Sequence, residues 1–517
     1  MGRIAVVGAG MAGMAAAARL ATGGHEVVVY ERGETYGGGV GAFARDGFAF
    51  DTGPGLLQLP AVYRDLFVKT GRESLEDSVE LVQTDPAGRH VFADGTDVSL
   101  PNASRSGVIE ALDGAFGPGS GERWSEVLVR ARQVWEGVRR PLLEEPIGDP
   151  KPLSRDPYPA RRKGLLRRPP HLADVAADEL GGDPRPAALL EWYALGNGLD
   201  PRTAPAAAAV LPYLEQSFGV WYVRGGMRAL ADALYARCRA RKVEFRFGAG
   251  VRGVEVHEGR VRGLRFTDHS TGAADMVAAS VPLPCLPQET LPSGGKDLRP
   301  LAGARDEPGR CTVHVALRGS RPAGAAHRTV VHAADRGAAL DWVFGRGRAE
   351  VPAPGALTVT VLRPDDPATR PDDGHEAVTV TATVPRHAAG RTNSGSHSGS
   401  TSGSGVDWSG GDFVDAFAER MLEVAERAVP GLRERELWRE VRTPRDVERE
   451  TGAAGGSVPV PSLPGAGGAL FRPPNRTPFN GLYFLGGWAH PGGGLPHAGM
   501  SAAIVADLVA GGPGGSR

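Results

Sequence analysis

The chain opens on an unbroken apolar run, Arg3–Gly8, which suits a strand buried on both faces better than a half-exposed one. Glycines and alanines follow. A helix-forming stretch from Met11 to Ala21 is then ended by Gly23 and Gly24, and Glu26–Tyr30 is a second apolar strand. Strand, turn, helix and strand in about thirty residues is the size of a βαβ unit. In the middle of the chain the pattern predicts helices at Gly107–Phe116, Glu122–Leu143, Leu189–Leu195, Thr203–Glu215 and Met227–Arg241. The last of these places Leu230, Ala233, Leu234 and Cys238 on one face. Asp149–Pro170 is rich in Pro and Arg and is expected to be irregular.

Strand signals come next, at Val243–Phe247, Gly253–His257, Val261–Thr267, Met276–Val281, Thr312–Leu317, Leu357–Leu362 and Ala377–Val384. They are rich in Val and Thr and partly alternating, as in a half-exposed antiparallel sheet. Thr392–Gly405 is a Ser/Gly tract with nothing to bury, expected to be a flexible loop inside a domain, since a helical stretch, Asp412–Val429, follows it. The chain ends in a strand, Leu482–Leu485, a glycine-rich turn and a helix, Ala498–Val509.

Length and charge narrow the classes. With 517 residues, two or three domains are expected. A net charge of −1 argues against a general nucleic-acid binder, and no run nears the ~18 apolar residues of a membrane span. No basic region precedes an apolar leader, so secretion by that route is not expected. The three cysteines, Cys238, Cys285 and Cys311, are too few and too scattered for a disulfide framework or a metal site. A reducing, cytoplasmic setting fits.

Two segments carry candidate chemistry. Gly8-Ala9-Gly10-Met11-Ala12-Gly13 matches Gly-x-Gly-x-x-Gly in the context that gives the motif meaning, after a strand and opening a helix. Gly8 permits the tight turn, Gly10 lets backbone approach a pyrophosphate, and Gly13 lets helix and strand pack closely. The N–H groups at Met11 and Ala12 open the helix toward the phosphates. Glu31, at the end of the second strand, is placed to accept hydrogen bonds from ribose hydroxyls. The second segment is Leu482–Met500, a strand running through Gly486, Gly487, His490, Pro491 and Gly492–Gly494, past Leu495, into the helix expected at Ala498–Val509. Bare backbone there can press on a flat ring, with a positive helix end above it.

FAD and NAD both suit the first segment. Glu31-Arg32 followed by Gly37-Gly38-Gly39 and Asp51-Thr52-Gly53-Pro54 resembles the two-dinucleotide-binding flavoproteins, in which FAD lies extended. With Gly219–Met227 and the His-Pro-Gly-Gly-Gly-Leu-Pro turn, the chain resembles the carotenoid desaturases of the phytoene desaturase type, within the flavin amine oxidase superfamily. The resemblance implies an α/β fold: a Rossmann-like FAD domain with a central parallel sheet, and an α+β substrate domain with an antiparallel sheet. It implies an FAD domain gathered from residues 1–70, 225–285 and 455–517, and a substrate domain from 71–224 and 286–454. Gly8, Gly10, Met11, Ala12, Gly13, Glu31, Arg32, Gly38, Val251, Gly487 and Leu495 would hold the cofactor, Val251 through backbone at the adenine. The sequence departs from the pattern at Gly39, where Arg or Lys is usual. That implies looser FAD binding or another Arg in its place.

The implied reaction is hydride removal from a long apolar polyene to flavin. Glu191, Asp200, His490 and His497 are acid–base candidates by type only; the two carboxylates read as solvated surface groups, and the histidines as supports of the turn. The segment 161–172 sets Arg161, Arg162, Lys163, Arg167 and Arg168 among leucines, a pattern suited to peripheral docking on anionic lipid at the inner face of the cell membrane. Two other readings stay open: a flavin amine oxidase-like enzyme on a soluble substrate, and a flavin-binding protein without turnover.

Overall fold

The computed structural model describes residues 2–147, 158, 161–163, 166–281, 307–345, 350–388, 405–465 and 472–511, with backbone alone for 161–168. Most of the irregular Asp149–Pro170 segment, Cys285, the 285/286 domain limit and the Ser/Gly tract up to residue 404 lie outside the described residues.

A five-stranded parallel sheet joins the two ends of the chain. Its order is Glu244–Arg246, Glu26–Tyr30, Arg3–Val7, Met276–Ala279 and Leu482–Phe484. The unbroken apolar runs are explained by what covers each face. Ile4, Val6, Val27 and Val29 pack with the helices Met11–Thr22, Met227–Ala240 and Leu495–Ala510. Ala5, Val7, Val28 and Tyr30 pack instead with Val254, Val261, Leu264 and Phe266 of a three-stranded antiparallel sheet, Val251–His257, Arg260–Phe266 and Thr271–Ala273. The strands Arg3–Val7 and Glu26–Tyr30 thus have two apolar faces because each has two apolar neighbours.

The second large sheet has seven strands, in the order Glu436–Arg442, Gly309–Arg318, His375–Val384, Val359–Leu362, Arg328–Val331, Gly88–Val91 and Asp97–Leu100. It is antiparallel except where Arg328–Val331 lies parallel to Gly88–Val91, so the expected antiparallel sheet is in fact mixed. The parallel pair arises because a hairpin from the first hundred residues, Gly88–Val91 and Asp97–Leu100, joins the edge of a sheet whose other five strands come from residue 309 onward. Gly411–Ala425 and Arg336–Phe344 cover this sheet. A helical layer, Arg105–Phe116, Ser120–Arg139, Leu172–Glu179, Pro184–Gly196 and Val210–Phe218, forms its own core around Trp124, Leu112 and Leu189.

Three elements depart from expectation, each for a local reason. The helix expected over Glu122–Leu143 stops at Arg139 and finishes as a π turn, Arg140–Glu144, where Pro141 can donate no hydrogen bond. The helix expected over Thr203–Glu215 is a 3-10 turn, Ala206–Ala209, running into a helix, Val210–Phe218, because Pro205 is extended at φ −61° and ψ 151°. Arg161–Lys163 and Leu166–Arg168, expected to be irregular, pair as a small antiparallel hairpin, which satisfies backbone groups that a bare loop would leave to water.

Candidate functional site

The loops at the C-terminal edge of the parallel sheet bring the sequence-predicted residues together. Gly8 leaves the first strand at φ +96°, its N–H bonded to the Tyr30 carbonyl at 2.8 Å. A Cβ on Gly13 would lie 2.1 Å from the Gly8 carbonyl oxygen, so only glycine allows the helix to sit this close. At Gly10 a Cβ would meet only Gly38 Cα, at 3.8 Å. Gly10 also bridges to Gly37, whose N–H reaches the Ala9 carbonyl at 2.9 Å. The helix Met11–Thr22 has no side-chain cap and no acidic residue in its first turn, so the N–H groups of that turn form a positive end that no side chain caps.

Glu31 stands beside this helix end. Its Oε2 accepts the Ala9 N–H at 2.8 Å and its Oε1 the Gly33 N–H at 2.9 Å. These two bonds fix the carboxylate and leave each oxygen a further lone pair. Val251 begins the strand that follows Ala249 and Gly250, and the Ala249 N–H bonds to the Glu31 carbonyl at 2.8 Å, which holds the Val251 backbone on the same edge. Arg32 turns elsewhere: its Nη2 donates to the carbonyls of Arg449, at 3.0 Å, and Glu450, at 2.9 Å. Gly38, at φ +59°, faces Gly10, and Gly39 is open, with nothing within 4 Å of an added Cβ.

The C-terminal turn closes the site from the other end of the chain. A Cβ on Gly486 would stand 3.3 Å from the Ala12 Cβ, so the last strand ends against the first helix. Pro459 packs on Gly487 and Gly493 so closely that a Cβ on either would clash, at 2.6 and 1.7 Å. The helix Leu495–Ala510 then begins without a side-chain cap or an acidic first-turn residue, and the Leu495 carbonyl accepts the Tyr63 hydroxyl at 3.0 Å. Two uncapped helix N-termini therefore belong to one site.

Several further groups support it. Asp51 accepts the N–H of Met227 at 2.8 Å and of Arg228 at 3.3 Å, which caps the helix Met227–Ala240. Burial pushes its pKa up to about 6. Asn475 donates to the carbonyls of Phe484, at 3.0 Å, and His490, at 2.8 Å; Ser501 donates to the same His490 carbonyl and accepts the Gly486 N–H. Asp51 was visible in the Asp-x-Gly turn. Asn475, which follows two prolines, carries no sequence signal.

Of the four acid–base candidates, two are at the turn. His490 is fully buried, with Nε2 at 3.2 Å from the Glu145 carbonyl, and burial pushes its pKa down to about 4. His497 Nδ1 lies 2.5 Å from the Gly493 carbonyl, and burial lowers its pKa also. Both are neutral at pH 7 and brace backbone. Asp200 and Glu191 belong to the helical layer. Asp200 is bound by Arg202. Glu191 is a correction: it is 5% exposed, not solvated, and pairs with Arg336 at 3.1 Å beside Trp192 and His332, burial raising its pKa.

A parallel sheet with a glycine fingerprint, a second glycine turn at the far end of the chain and an intervening mixed-sheet domain define a flavin-type dinucleotide oxidoreductase. The comparisons agree. The chain belongs to the flavin containing amine oxidoreductase family, which it matches over residues 11–379. It is 29% identical to a 4,4'-diapophytoene desaturase of Staphylococcus haemolyticus, with 98% of each chain covered. It is 28% identical to a zeta-carotene-forming phytoene desaturase of Myxococcus xanthus, over 98% of this chain and 93% of that one. A solved putrescine oxidase with putrescine bound shares the fold at a TM-score of 0.63 and 17% identity, over 98% of this chain and 99% of that one.

The cofactor is FAD, and the residues fit it. Each of the two helix N-termini lacks a side-chain cap and a first-turn acid, the Gly10–Gly38 approach is a cradle that side chains would fill, and Glu31 has lone pairs to spare for a ribose.

Proposed function

We propose that the chain desaturates a long apolar polyene of the carotenoid-precursor class. One observation carries this reading: the similarity to two carotenoid desaturases runs over 98% of the chain and so includes the substrate domain as well as the dinucleotide module. In such a reaction a hydride leaves one carbon and a proton leaves its neighbour, and the pair of electrons remaining forms the new double bond. Bound FAD supplies the hydride acceptor at its N5. The chain's own part is to bind, orient and exclude water. Gly8, Gly10, Met11, Ala12, Gly13 and Gly38 supply backbone to the diphosphate, Glu31 holds the ribose and Val251 the adenine. Gly487 and Leu495 put backbone and a positive helix end against the ring, which favours the negative charge that hydride transfer brings. His490 and His497, both neutral, keep that turn rigid without adding charge near a hydrocarbon. Substrate binding then rests on apolar enclosure, worth about 25 cal/mol per Å².

The same reading brings the substrate from a lipid bilayer. The hairpin of Arg161–Lys163 and Leu166–Arg168 puts five basic residues, Arg161, Arg162, Lys163, Arg167 and Arg168, within eight positions, the charge pattern of a surface that docks on anionic lipid at the inner face of the cell membrane. No helix among the described residues is long and apolar enough to cross a membrane. Replacing the four arginines by serine is expected to abolish co-sedimentation with anionic liposomes; unchanged co-sedimentation would remove the hairpin from the account.

The function is tested by a pigment profile. The chain is expressed in non-pigmented hosts that accumulate phytoene or diapophytoene, and the extracts are separated with absorbance detection. Products absorbing at longer wavelength are expected. Unchanged precursors beside soluble, flavin-loaded protein would contradict the reading, and peroxide release with amines would replace it by an amine oxidase.

A further inference from the structure

The diphosphate of a dinucleotide carries two negative charges, and the site described so far meets them with backbone alone. A helix N-terminus offers about half a positive charge. The turn Gly37–Gly39 has no side chain, and the space beside Gly39 is open to 4 Å. Among the described residues, three arginines stand comparison as sources of positive charge there: Arg32, Arg442 and Arg228. Arg32 gives both N–H groups of Nη2 to the carbonyls of Arg449 and Glu450, which turns its guanidinium toward that loop. Arg442 reaches the Thr52 carbonyl through Nη1 and gives both Nε and Nη2 to the Glu450 carboxylate, which neutralises it.

Arg228 is differently placed. It stands in the first turn of the helix Met227–Ala240, the helix that Asp51 caps. Its Nη1 donates to the Tyr36 carbonyl at 2.9 Å and lies 3.4 Å from where a Gly37 Cβ would be. Its guanidinium carbon is 4.3 Å from the centre of the Tyr36 ring. Only Nε meets a carboxylate, Asp232, at 2.8 Å, and that same Oδ1 also accepts the Tyr36 hydroxyl. Nη2 reaches Thr35 Oγ1 at 3.3 Å. Of the five N–H groups of a guanidinium, one on each Nη is left over.

We infer that Arg228 supplies the cation that holds the FAD diphosphate against the Gly37–Gly39 turn, in place of a charge at position 39. The inference rests on FAD being the cofactor. It makes a contact between two distant stretches of sequence part of the binding site: the turn is fixed by the fingerprint, and its charge comes from a helix almost two hundred residues later.

The test uses the full-length flavoprotein, with FAD release on dilution followed by flavin fluorescence at low and high salt. Arg228→Ala is expected to raise the Kd about tenfold or more and to weaken its salt dependence, while Arg442→Ala leaves both near the wild-type values. Two variants separate charge from packing. Arg228→Lys, and Gly39→Arg placed in the Arg228→Ala background, each return a cation to the turn, and either is expected to recover most of the affinity. A structural role through Tyr36 and Asp232 would not be rescued from position 39. The inference is overturned if Arg228→Ala keeps the wild-type Kd, if only Arg442→Ala weakens binding, or if neither cationic variant recovers affinity. A wild-type chain that binds no FAD would overturn the cofactor assignment and this inference together.

Discussion

The parallel sheet and the seven-stranded sheet solve the same problem, burying strands on both sides, with opposite materials. Around the parallel sheet the chemistry is in the backbone. Glycines at 10, 13, 38 and 493 bring main chain to main chain, those at 8, 486 and 487 admit close side chains, and half of the neighbouring helix Met11–Thr22 is alanine. Around the seven-stranded sheet, charged side chains are buried whole. Arg328, 7% exposed, pairs with Glu215, 2% exposed, which also accepts the hydroxyl of Tyr193 and the amide of Gln58. Buried Arg363 and the partly exposed Arg435 converge on buried Glu376. A site that binds an anion through N–H groups tolerates no extra atom; a packed polar network tolerates no missing partner.

The comparison is sharpened by substitutions that reverse these rules. The largest effect is expected in the second region. Arg328→Met leaves Glu215 buried without its cation and should cost about 3–5 kcal/mol, read from urea unfolding, since breaking one half of a buried pair is worse than replacing both. In the first region, adding one methyl is the severe change. Gly13→Ala forces helix and strand apart at the Gly8 carbonyl and should cost about 1–3 kcal/mol with loss of bound FAD. A similar cost with FAD retained would show that the close approach serves packing alone.

The next effect depends on pH. The Asp51 carboxyl titrates at about 6 when folded and at 3.8 ordinarily, so between those values the folded chain holds more protons here than the unfolded one. This group therefore lowers stability as pH rises from about 4 to 6, by about 2 kcal/mol. Asp51→Asn keeps an N-cap and removes that slope, so the variant should gain on the wild type over this range. The buried histidines act with the opposite sign: His314 and His490, held near 4, stay neutral when folded, and stability is lost as pH falls from about 6.5 toward 4. The difference between the two chains isolates Asp51 from that background. The smallest effect is expected from Glu31→Gln, whose amide nitrogen would face one of the two N–H groups that the carboxylate accepts; it should weaken FAD about tenfold, ~1.5 kcal/mol, and cost about 1 kcal/mol of stability.

The two regions also differed in how far the sequence disclosed them. In the parallel sheet the strands other than the edge strand Glu244–Arg246 are marked by apolar runs, and Gly8–Gly13, Glu31 and Gly486–Leu495 announce the loops at its edge, because φ values and close approaches select glycine. The seven-stranded sheet has no such local marks. His90 lies within 3.0 Å of His332 because a strand near residue 90 enters beside one near residue 330, and only the tertiary pairing specifies this. Glu191 looked solvated because carboxylates usually are, and its burial depends on Arg336, a helix away in another part of the chain. Asn475 and Arg228 were silent for the same reason: their partners at His490, Phe484, Tyr36 and Asp232 come close only in the fold.

The central claim is that this flavoprotein takes a hydride from an apolar polyene. Its most direct test is the absorbance of the bound flavin, followed without oxygen, when phytoene or diapophytoene is presented in anionic lipid vesicles. The account predicts that the oxidised flavin band bleaches as a longer conjugated product appears, with no bleaching by vesicles alone. A flavin that stays oxidised with both hydrocarbons, yet bleaches with an amine in free solution, would contradict it.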